Sequence, residues 1–346
     1  MISQKSHRNP SLRLLSSFIE VLELSSNKPR PRHLESLIFV ASRLPDKLAT
    51  NCQRDNSMEK IGFIGIGLMG LPMCQRLLAA HCDLTVYNRT PSKTQALQEQ
   101  GAKAVDSIES LVSSVDIIML CVSDTLAVES VMAEALPYLK PKQIIVDFSS
   151  ISPAATRQLA TSVEAKQCAW IDSPVSGGVA GAEAGSLAIM VGGDTHILKT
   201  IEPILQNLGQ RITHMGPNGA GQTSKICNQM LVSCNVLVMA EVMALAKKSG
   251  VDAARLPEAL KGGFADSLPL QLTGPRMAEQ DFDEVKWKVK TLLKDLDMAN
   301  TLAHDMTSSV PMAGLGAELM RQHAARGFAE QDPSTLVMLY EALLEK

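Results

Sequence analysis

The 346-residue sequence is poor in aromatic residues and carries little excess charge of either sign. Two Trp, three Tyr and seven Phe make up only 3% of the chain. Ala, Leu, Val and Met must therefore supply most of the core, which suits packed helices and buried parallel strands. The formal net charge of −3 gives no basic surface for nucleic acid or an anionic membrane. We predict small-molecule chemistry, with no nucleic-acid partner and no membrane.

Neither the cysteines nor the histidines have the spacing of a disulfide framework or a metal site. The seven cysteines are scattered singly without a C-x-x-C pair, and several lie within apolar runs. Such thiols are typical of a reduced intracellular protein. The seven histidines show no H-x-x-x-H or similar ligand spacing. We predict a cytoplasmic protein with buried thiols and a metal-free mechanism.

Residues 1–57 differ in character from the rest of the chain. They are rich in Ser, Arg and Lys, lack sustained periodicity and include Lys28-Pro29-Arg30-Pro31-Arg32. Their best apolar stretch, residues 37–41, is too short for a membrane span or a signal-peptide core. Interspersed acidic residues disfavour a transit peptide. We expect a poorly ordered extension, with the folded protein beginning near Met58.

From residue 60 onward, short apolar runs alternate with helical stretches. The predicted strands are residues 60–64, 84–87, 116–122, 143–147, 170–172 and 187–191, and the predicted helices between them are residues 69–80, 90–101 and 125–139. This alternation indicates a parallel sheet covered on both faces. One long helix, residues 222–249, opens a wholly helical remainder. We predict an α/β domain at residues 58–220 and an all-α domain at residues 221–346, linked by the long helix.

A glycine-rich turn follows the first predicted strand and opens a helix. Its sequence is Gly65-Ile66-Gly67-Leu68-Met69-Gly70, a G-x-G-x-x-G pattern. In a Rossmann-type domain the first glycine permits the turn, the second lets the backbone approach a pyrophosphate and the third allows close packing of helix and strand. The helix N-terminus attracts the phosphates. We predict dinucleotide binding by this loop, the alternative being a turn without a ligand.

Cofactor preference is set at the end of the second strand, where the sequence reads Asn88-Arg89-Thr90. An NAD site usually places a carboxylate here for the ribose 2′-hydroxyl. Asn88 does not repel a 2′-phosphate, Arg89 offers a guanidinium to pair with it, and Thr90 offers a hydroxyl. We predict NADP. NAD is the alternative if Arg89 is only a solvated surface residue and Thr90 only a helix cap.

Lys225 lies in the first turns of the long helix, after the glycine-rich turn at residues 216–221. Asn228 and Gln229 follow at i+3 and i+4, so the three side chains share one helix face. Flanking apolar residues predict a buried face, which would lower the pKa of the lysine toward an acid–base range. An ammonium there could donate the proton to a reduced carbonyl, and either amide could hold the substrate. The alternative is a lysine that only extends along the helix surface.

These segments resemble the β-hydroxyacid dehydrogenase family from about Met58 to the C-terminus. The resemblance rests on the opening motif at residues 62–73, Asp172-Ser173-Pro174-Val175-Ser176-Gly177-Gly178, the helix at residues 219–229 and Leu293-Lys294-Asp295-Leu296. It places Lys225 at the catalytic lysine. Gln229 departs from the pattern, because some members have Asn there, and this leaves the substrate-orienting amide open between Asn228 and Gln229.

The resemblance implies further site residues and an assembly. Ser176, Gly177 and Gly178 would cradle the substrate carboxylate, and Lys294 would reach the cofactor and substrate. Cys121, Val122 and Ser150 would line the nicotinamide side of the cofactor. Homodimers or homotetramers would form through the helical domain.

Together these features predict an NADP(H)-dependent enzyme that interconverts a short 3-hydroxy acid and its semialdehyde, of the tartronate or methylmalonate semialdehyde type. An imine reductase is one alternative, although such enzymes generally lack the lysine. A non-catalytic cofactor-binding protein is another, and the retained Lys225 argues against it.

Overall fold

The computed structural model describes residues 59–341. The predictions for residues 1–57 therefore concern a segment outside the described range. Within that range, nine strands form one sheet, and a group of helices follows the last strand.

The strands of the sheet all lie between residues 60 and 216. They are β1 (Lys60–Ile64), β2 (Asp83–Tyr87), β3 (Lys103–Ala104), β4 (Ile117–Leu120), β5 (Ile144–Asp147), β6 (Ala169–Asp172), β7 (Val175–Ser176), β8 (Leu187–Gly192) and β9 (Gly209–Gly216). Their order is β3-β2-β1-β4-β5-β6-β8-β7, with β9 paired to β8. Strands β1 to β6 pair with one another in parallel.

Helices connect the strands and then continue alone. Between strands lie α1 (Gly70–Ala79), α2 (Gln95–Gln98), α3 (Ile108–Ser114), α4 (Thr125–Ala135), α5 (Pro153–Glu164), α6 (Gly178–Ala184) and α7 (Thr195–Leu205). After the sheet come α8 (Ala220–Lys248), α9 (Leu256–Leu260), α10 (Leu268–Glu279), α11 (Val289–Asp305) and α12 (Pro311–His323). This is the predicted α/β fold of Rossmann type followed by a helical part.

Both faces of the sheet are covered, as predicted for parallel strands. Alternate residues of β1 belong to different cores: Ile61 and Phe63 pack on one side with α1, whereas Ile64 packs on the other with α3 and α4. Side chains of successive strand residues point to opposite faces. The apolar run at residues 60–64 is therefore buried on both sides.

The long helix α8 is apolar enough to cross a membrane by length and composition, with a mean hydropathy of 1.7 in its most apolar window. It packs against α10, α11 and the 3₁₀ helix at Pro333–Leu339. Val236, Ala240 and Met243 on α8 are buried in the core of the helical part. The helix is the central element of that core, and its start lies against the sheet.

Two predictions about local structure were wrong. The stretch at residues 90–101 is a 3₁₀ turn at Pro91–Thr94 and a single helical turn, α2, where we predicted one helix. The Thr94 hydroxyl donates to the Pro91 carbonyl oxygen, a local bond that competes with regular helix. Thr90 precedes this turn but makes no side-chain cap bond.

The second wrong prediction is the direction of β8, which runs antiparallel to β6. The link between the two strands contains only β7 and the seven-residue α6. A helix of that length spans roughly 10 Å, about half the length of β8, so it does not return the chain to the opposite edge of the sheet. The parallel sheet is therefore a mostly parallel one. The proposed domain boundary at residues 220 and 221 stays a prediction.

From β1 the chain adds β2 and β3 on one side of the sheet and then crosses over to add β4, β5 and β6 on the other. The order therefore reverses between the neighbouring parallel strands β1 and β4. In open α/β sheets the crevice at the carboxyl ends of such strands is where ligands bind. The loops after β1, β2, β4 and β5 all meet there, and the N-terminus of α8 contacts the same region.

Candidate active site

The glycine-rich loop after β1 has the geometry that a bound diphosphate needs. Gly65 has φ +103°, and a side chain on it would collide with the Cys121 carbonyl oxygen. A side chain at Gly70 would collide with the Gly65 carbonyl oxygen, whereas one at Gly67 would meet open space. No side-chain hydrogen bond caps the start of α1. The loop thus leaves a concave space in front of a helix N-terminus, which fits the phosphates of a dinucleotide.

Asn88 holds this loop against the end of β2. Its Oδ1 accepts a hydrogen bond from the Ile66 main-chain N–H at 2.9 Å, and its Nδ2 donates to the Thr90 carbonyl oxygen at 2.9 Å. Both ends of the amide are therefore used within the protein. Arg89 and Thr90 are exposed beside it. Of the three residues predicted to select the cofactor, Arg89 and Thr90 present side chains to solvent at this edge.

The loops after β4 and β5 are joined beneath the crevice. The Val122 N–H donates to Ser149 Oγ at 3.0 Å, and the Ser149 N–H donates to Asp147 Oδ1 at 2.9 Å. Complete burial raises the pKa of Asp147 to about 7. Burial, and then the nearby Asp147 carboxyl, raise the pKa of Cys121 to about 12. Cys121 is consequently a neutral thiol in this wall of the crevice.

Lys225 lines a small pocket where α8 meets the loop after β5. The pocket is formed by Ser150, Gln222, Lys225, Ile226, Gln229, Asp295 and Met298. It contains three of the predicted site residues, namely Ser150, Lys225 and Gln229. The helix α11 closes it on the side of Asp295 and Met298. The proposed proton donor therefore faces the carboxyl end of the sheet.

Gln229 fixes the lysine side chain. Lys225 Nζ donates to Gln229 Oε1 at 2.9 Å, and Asn228 Nδ2 donates to the same oxygen at 2.8 Å. Gln229 Nε2 donates to Asp295 Oδ2 at 2.5 Å. All polar atoms of the Gln229 side chain thus have partners within the protein. The amide at this position links the lysine to a buried carboxylate on α11.

The electrostatics of the pocket lower the pKa of Lys225 to about 8. Burial is the largest cause, because removing water penalises the charged amine. The Asp295 carboxylate opposes this shift, and the Lys294 ammonium adds to it. Lys294 Nζ lies 3.4 Å from Asp295 Oδ1, so the Asp295 carboxylate interacts electrostatically with both Lys294 and Lys225. A pKa near 8 suits an amine that exchanges a proton near neutral pH.

The burial of Lys225 comes only in part from the flanking apolar residues. Ile226 is buried, but Cys227 is exposed and Leu231 is 75% exposed, so these two do not enclose the lysine. Cys227 is therefore an exception to the prediction of buried thiols. Ile226 lines the pocket from α8 itself, and the rest of the enclosure comes from Met298 and the loop at Ser150, which α11 and β5 bring to α8.

Other predicted residues lie outside the lysine pocket. Lys294 lines a neighbouring groove of about 400 Å³ between α5 and α11. Ser176 is half-buried at the end of β7, and Gly177 and Gly178 are exposed at the start of α6. None of these three lines either of the two cavities described. In residues 59–341 no group of three His, Cys, Asp or Glu side chains could hold a metal ion.

Three residues of the site were not singled out from the sequence. Asp295 and Gln222 line the lysine pocket, and Asp172 holds the start of α8 through two main-chain N–H groups. A signal existed for Asp295 and Asp172, because both belong to the motifs that carry the family resemblance. Gln222 had none, since one glutamine in a helical stretch carries no distinctive pattern.

Comparison with known families divides the chain at the start of α8. Residues 60–216 match the model described as the NAD binding domain of 6-phosphogluconate dehydrogenase. Residues 219–340 match the model described as the NAD-binding domain of NADP-dependent 3-hydroxyisobutyrate dehydrogenase.

Individual relatives agree with these matches. The chain is 37% identical to 2-hydroxy-3-oxopropionate reductase of Escherichia coli, over 82% of this chain and 98% of the relative. It is 32% identical to NAD-dependent L-serine dehydrogenase of Pseudomonas aeruginosa, over 82% of this chain and 98% of the relative. The structure of Mycobacterium tuberculosis 3-hydroxyisobutyrate dehydrogenase with L-serine superposes with a TM-score of 0.76 at 28% identity, covering 82% of this chain and all of the other.

Fold, site and relatives together define an NAD(P)-dependent oxidoreductase of the hydroxyacid dehydrogenase type. The chain belongs to the β-hydroxyacid dehydrogenase family.

The charges around Lys225 lead to a pair of opposite predictions. Asp295→Asn removes the negative charge that favours the ammonium, so the pKa of Lys225 should fall below about 8. Lys294→Met removes a repelling charge, so the same pKa should rise. The pH dependence of Lys225 acylation, followed by mass spectrometry with exposed Lys142 as the reactivity reference, measures both. Shifts of the same sign in the two variants would contradict this account.

Proposed function

We propose that the protein is an NADP(H)-dependent enzyme that interconverts a short 3-hydroxy acid and its semialdehyde, of the tartronate or methylmalonate semialdehyde type. The observation that carries this proposal is the half-buried Lys225, held by Gln229 and Asp295 at the carboxyl end of the sheet. The named relatives act on small hydroxy acids or their semialdehydes, which supports the substrate class.

The cofactor would be held along the carboxyl edge of the sheet. Gly65, Gly67, Leu68, Met69 and Gly70 would surround its diphosphate. Asn88 would keep that loop in place, while Arg89 and Thr90 would meet the ribose 2′-phosphate. Cys121, Val122 and Ser150 would border the nicotinamide, with Lys294 approaching from α11. When bound, the nicotinamide supplies the hydride in reduction and accepts it in oxidation.

Lys225 would handle the proton. A carbonyl oxygen that gains negative charge during reduction is stabilised by an adjacent ammonium, which then donates its proton to that oxygen. In oxidation the neutral amine takes the hydroxyl proton back. Gln229 would orient the amine for this exchange and not hold the substrate, because its polar atoms are occupied by Lys225, Asn228 and Asp295. Asn228 would remain to orient the substrate.

The carboxylate of the substrate would be held on the β7 side. Ser176 offers a hydroxyl there, and Gly177 and Gly178 offer main-chain N–H groups at the start of α6. Successive main-chain N–H groups in such turns form concave sites for anions. The exposure of both glycines leaves this edge open to a small ligand.

Of the alternative functions, imine reduction is disfavoured by the lysine, since imine reductases generally lack it. A non-catalytic cofactor-binding role gives no reason for an amine whose pKa is lowered by burial to about 8 and whose position is fixed by an amide bound to a carboxylate. The scattered single cysteines support a cytoplasmic setting, which we propose as the location.

Lys225→Met should abolish most turnover. Loss of a general acid costs about 10²–10⁴-fold in kcat, while NADPH binding should change little. In the wild type, reduction requires the protonated amine, so its rate should fall as pH rises through about 8, and oxidation should rise over the same range. A panel of C3 and C4 semialdehydes, assayed by nicotinamide absorbance, measures this. Exposed Lys199→Met is the control, and near-wild-type turnover of the Lys225 variant would refute the assignment.

Arg89→Ala should weaken the preference for NADP. Hydrogen bonds to charged groups are worth about 1.5–3 kcal/mol, so kcat/KM for NADPH should fall by about 10- to 100-fold. The value for NADH should stay within about threefold, because NADH has no 2′-phosphate. Steady-state assays with both cofactors measure the ratio. An equal loss with NADPH and NADH would show that Arg89 does not read the phosphate.

We also propose that the protein forms a homodimer or homotetramer through its helical part. Helix α8 exposes Leu231, Val238, Val242 and Leu245, and α10 exposes Leu268 and Leu272. Large apolar side chains grouped on packed helices mark an interface between subunits. On α8 these side chains extend from Leu231 to Leu245.

A charge within that surface should separate the subunits. Leu231→Glu, at a position that is 75% exposed in the isolated chain, should move the protein toward monomer in sedimentation velocity. The matched control is Leu126→Glu on α4, which is 77% exposed and lies in the sheet part. A wild-type protein that sediments as a monomer at micromolar concentration would overturn the proposal.

A further inference from the structure

The start of α8 is capped by a carboxylate from the sheet and not by its own sequence. Its cap residue is Gly219, without a side chain, and the first turn contains no acidic residue. Asp172 at the end of β6 takes this role. Its Oδ1 accepts from the Gly219 N–H at 2.9 Å, and its Oδ2 accepts from the Gln222 N–H at 3.0 Å. A carboxylate at a helix N-terminus satisfies free N–H groups and interacts favourably with the helix dipole.

Asp172 has little freedom to move. The residue is fully buried, and burial raises the pKa of its carboxyl. A side chain at Gly192, which faces it on β8, would lie 2.6 Å from both carboxylate oxygens. The N-terminus of α8 is therefore fixed to the sheet at one point by a rigid group.

Gln222 makes a second connection, to the loop after β5. This residue is only 1% exposed. Its Nε2 donates to the Ser149 carbonyl oxygen at 2.7 Å, and its Oε1 accepts from the Ile151 N–H at 3.1 Å. The amide thus binds the main chain on both sides of Ser150.

Gln222 therefore connects the loop at Ser150 to the turn of α8 that carries Lys225. Lys225 follows Gln222 by three residues and lies on the same side of the helix. Ser150, Gln222 and Lys225 line one pocket. Ser149 in turn accepts from the Val122 N–H, so the connection continues to the loop after β4. Two hydrogen bonds, one at each end of Ser149, therefore connect Val122 to the helix that carries the amine.

We propose that Gln222, whose main-chain N–H is bound by Asp172, is a positioning residue. It sets the distance between the Lys225 amine and the loop at Ser149–Ile151. The inference rests on the proposed function, in which this loop borders the nicotinamide. Hydride and proton must reach one carbonyl group from these two sides. A displacement of about 1 Å between reacting groups can cost about 100-fold in rate, so a rigid spacer at this junction controls turnover.

The structure offers a matched control for the loss of a buried amide. Gln143 is 4% exposed, and its Nε2 donates to the carbonyl oxygens of Val112 and Val115. It precedes β5 and so lies at the edge of the sheet opposite the site. Gln143→Met and Gln222→Met each remove a buried amide that binds main chain, but only the second lies beside Lys225.

The experiment compares the two Met variants in three measurements. Both should lower Tm. Only Gln222→Met should lower kcat for semialdehyde reduction, by about 100-fold, with KM for NADPH within about threefold. In the protein without cofactor, acylation of Lys225 should show its pKa moving from about 8 toward the ordinary lysine value, because water enters the loosened pocket. Gln143→Met should leave kcat and that pKa unchanged.

Gln222→Glu keeps the acceptor for the Ile151 N–H and loses the donor to Ser149, so it decides the matter if Gln222→Met does not fold. It should lie between wild type and Gln222→Met in kcat. The inference would be overturned if both Met variants lost the same Tm while Gln222→Met kept the wild-type kcat and the wild-type pKa of Lys225. An active Lys225→Met enzyme would refute the proposed function alone, because the acylation measurement on Gln222 variants needs no turnover.

Discussion

The structure depends on one buried contact, the Asp172 carboxylate that binds two main-chain N–H groups at the start of α8. A parallel sheet ends in loops, and a separate group of helices has no intrinsic reason to meet those loops in one orientation. Charge-assisted bonds to main-chain N–H groups are directional and strong when water is excluded. They fix where α8 begins, and thereby where the residues of its first two turns lie relative to the crevice.

The lysine shows how such a fixed position sets a pKa. Removing an amine from water lowers its pKa, and a neighbouring carboxylate raises it again. At Lys225 the first effect is the larger, and the balance among burial, Asp295 and Lys294 gives a pKa of about 8. A wholly buried lysine without Asp295 would lose its charge, and an exposed one would hold its proton too strongly. Gln229 contributes orientation, since an amide without charge can bind both Lys225 and Asp295.

The same arrangement separates the lysine and its supports from the residues that we propose to contact the substrate. The relatives include a 2-hydroxy-3-oxopropionate reductase and an L-serine dehydrogenase. The groups that would act on hydride and proton lie on α8 and on the loops after β4 and β5, which hydrogen bonds join to one another. The residues that would meet the rest of the substrate lie at β7, α6 and α11. Selectivity can therefore change at the periphery while the lysine and its supports stay in place.

The sequence by itself determined the elements with strong local patterns. The buried strand β1, the glycine turn at Gly65 and the long helix α8 follow from apolar runs, glycine positions and helical periodicity, which act over a few residues. Lys225 became a candidate from its place in a helix after a glycine-rich turn, with a surface lysine as the alternative, and its role stays a prediction. The antiparallel direction of β8 and the irregular turn after Thr90 could not, because strand direction and competing local bonds depend on connections and packing.

Only the tertiary structure decided what surrounds the lysine. Its sequence neighbours Cys227 and Leu231 are exposed, whereas its enclosing partners Ser150, Asp295 and Met298 are remote in sequence. A pKa and an orientation arise from charges and burial in three dimensions, and no local pattern encodes which remote side chains will supply them. The chain sequence could name the amine, but its surroundings were set when α8, α11 and the loop after β5 packed together.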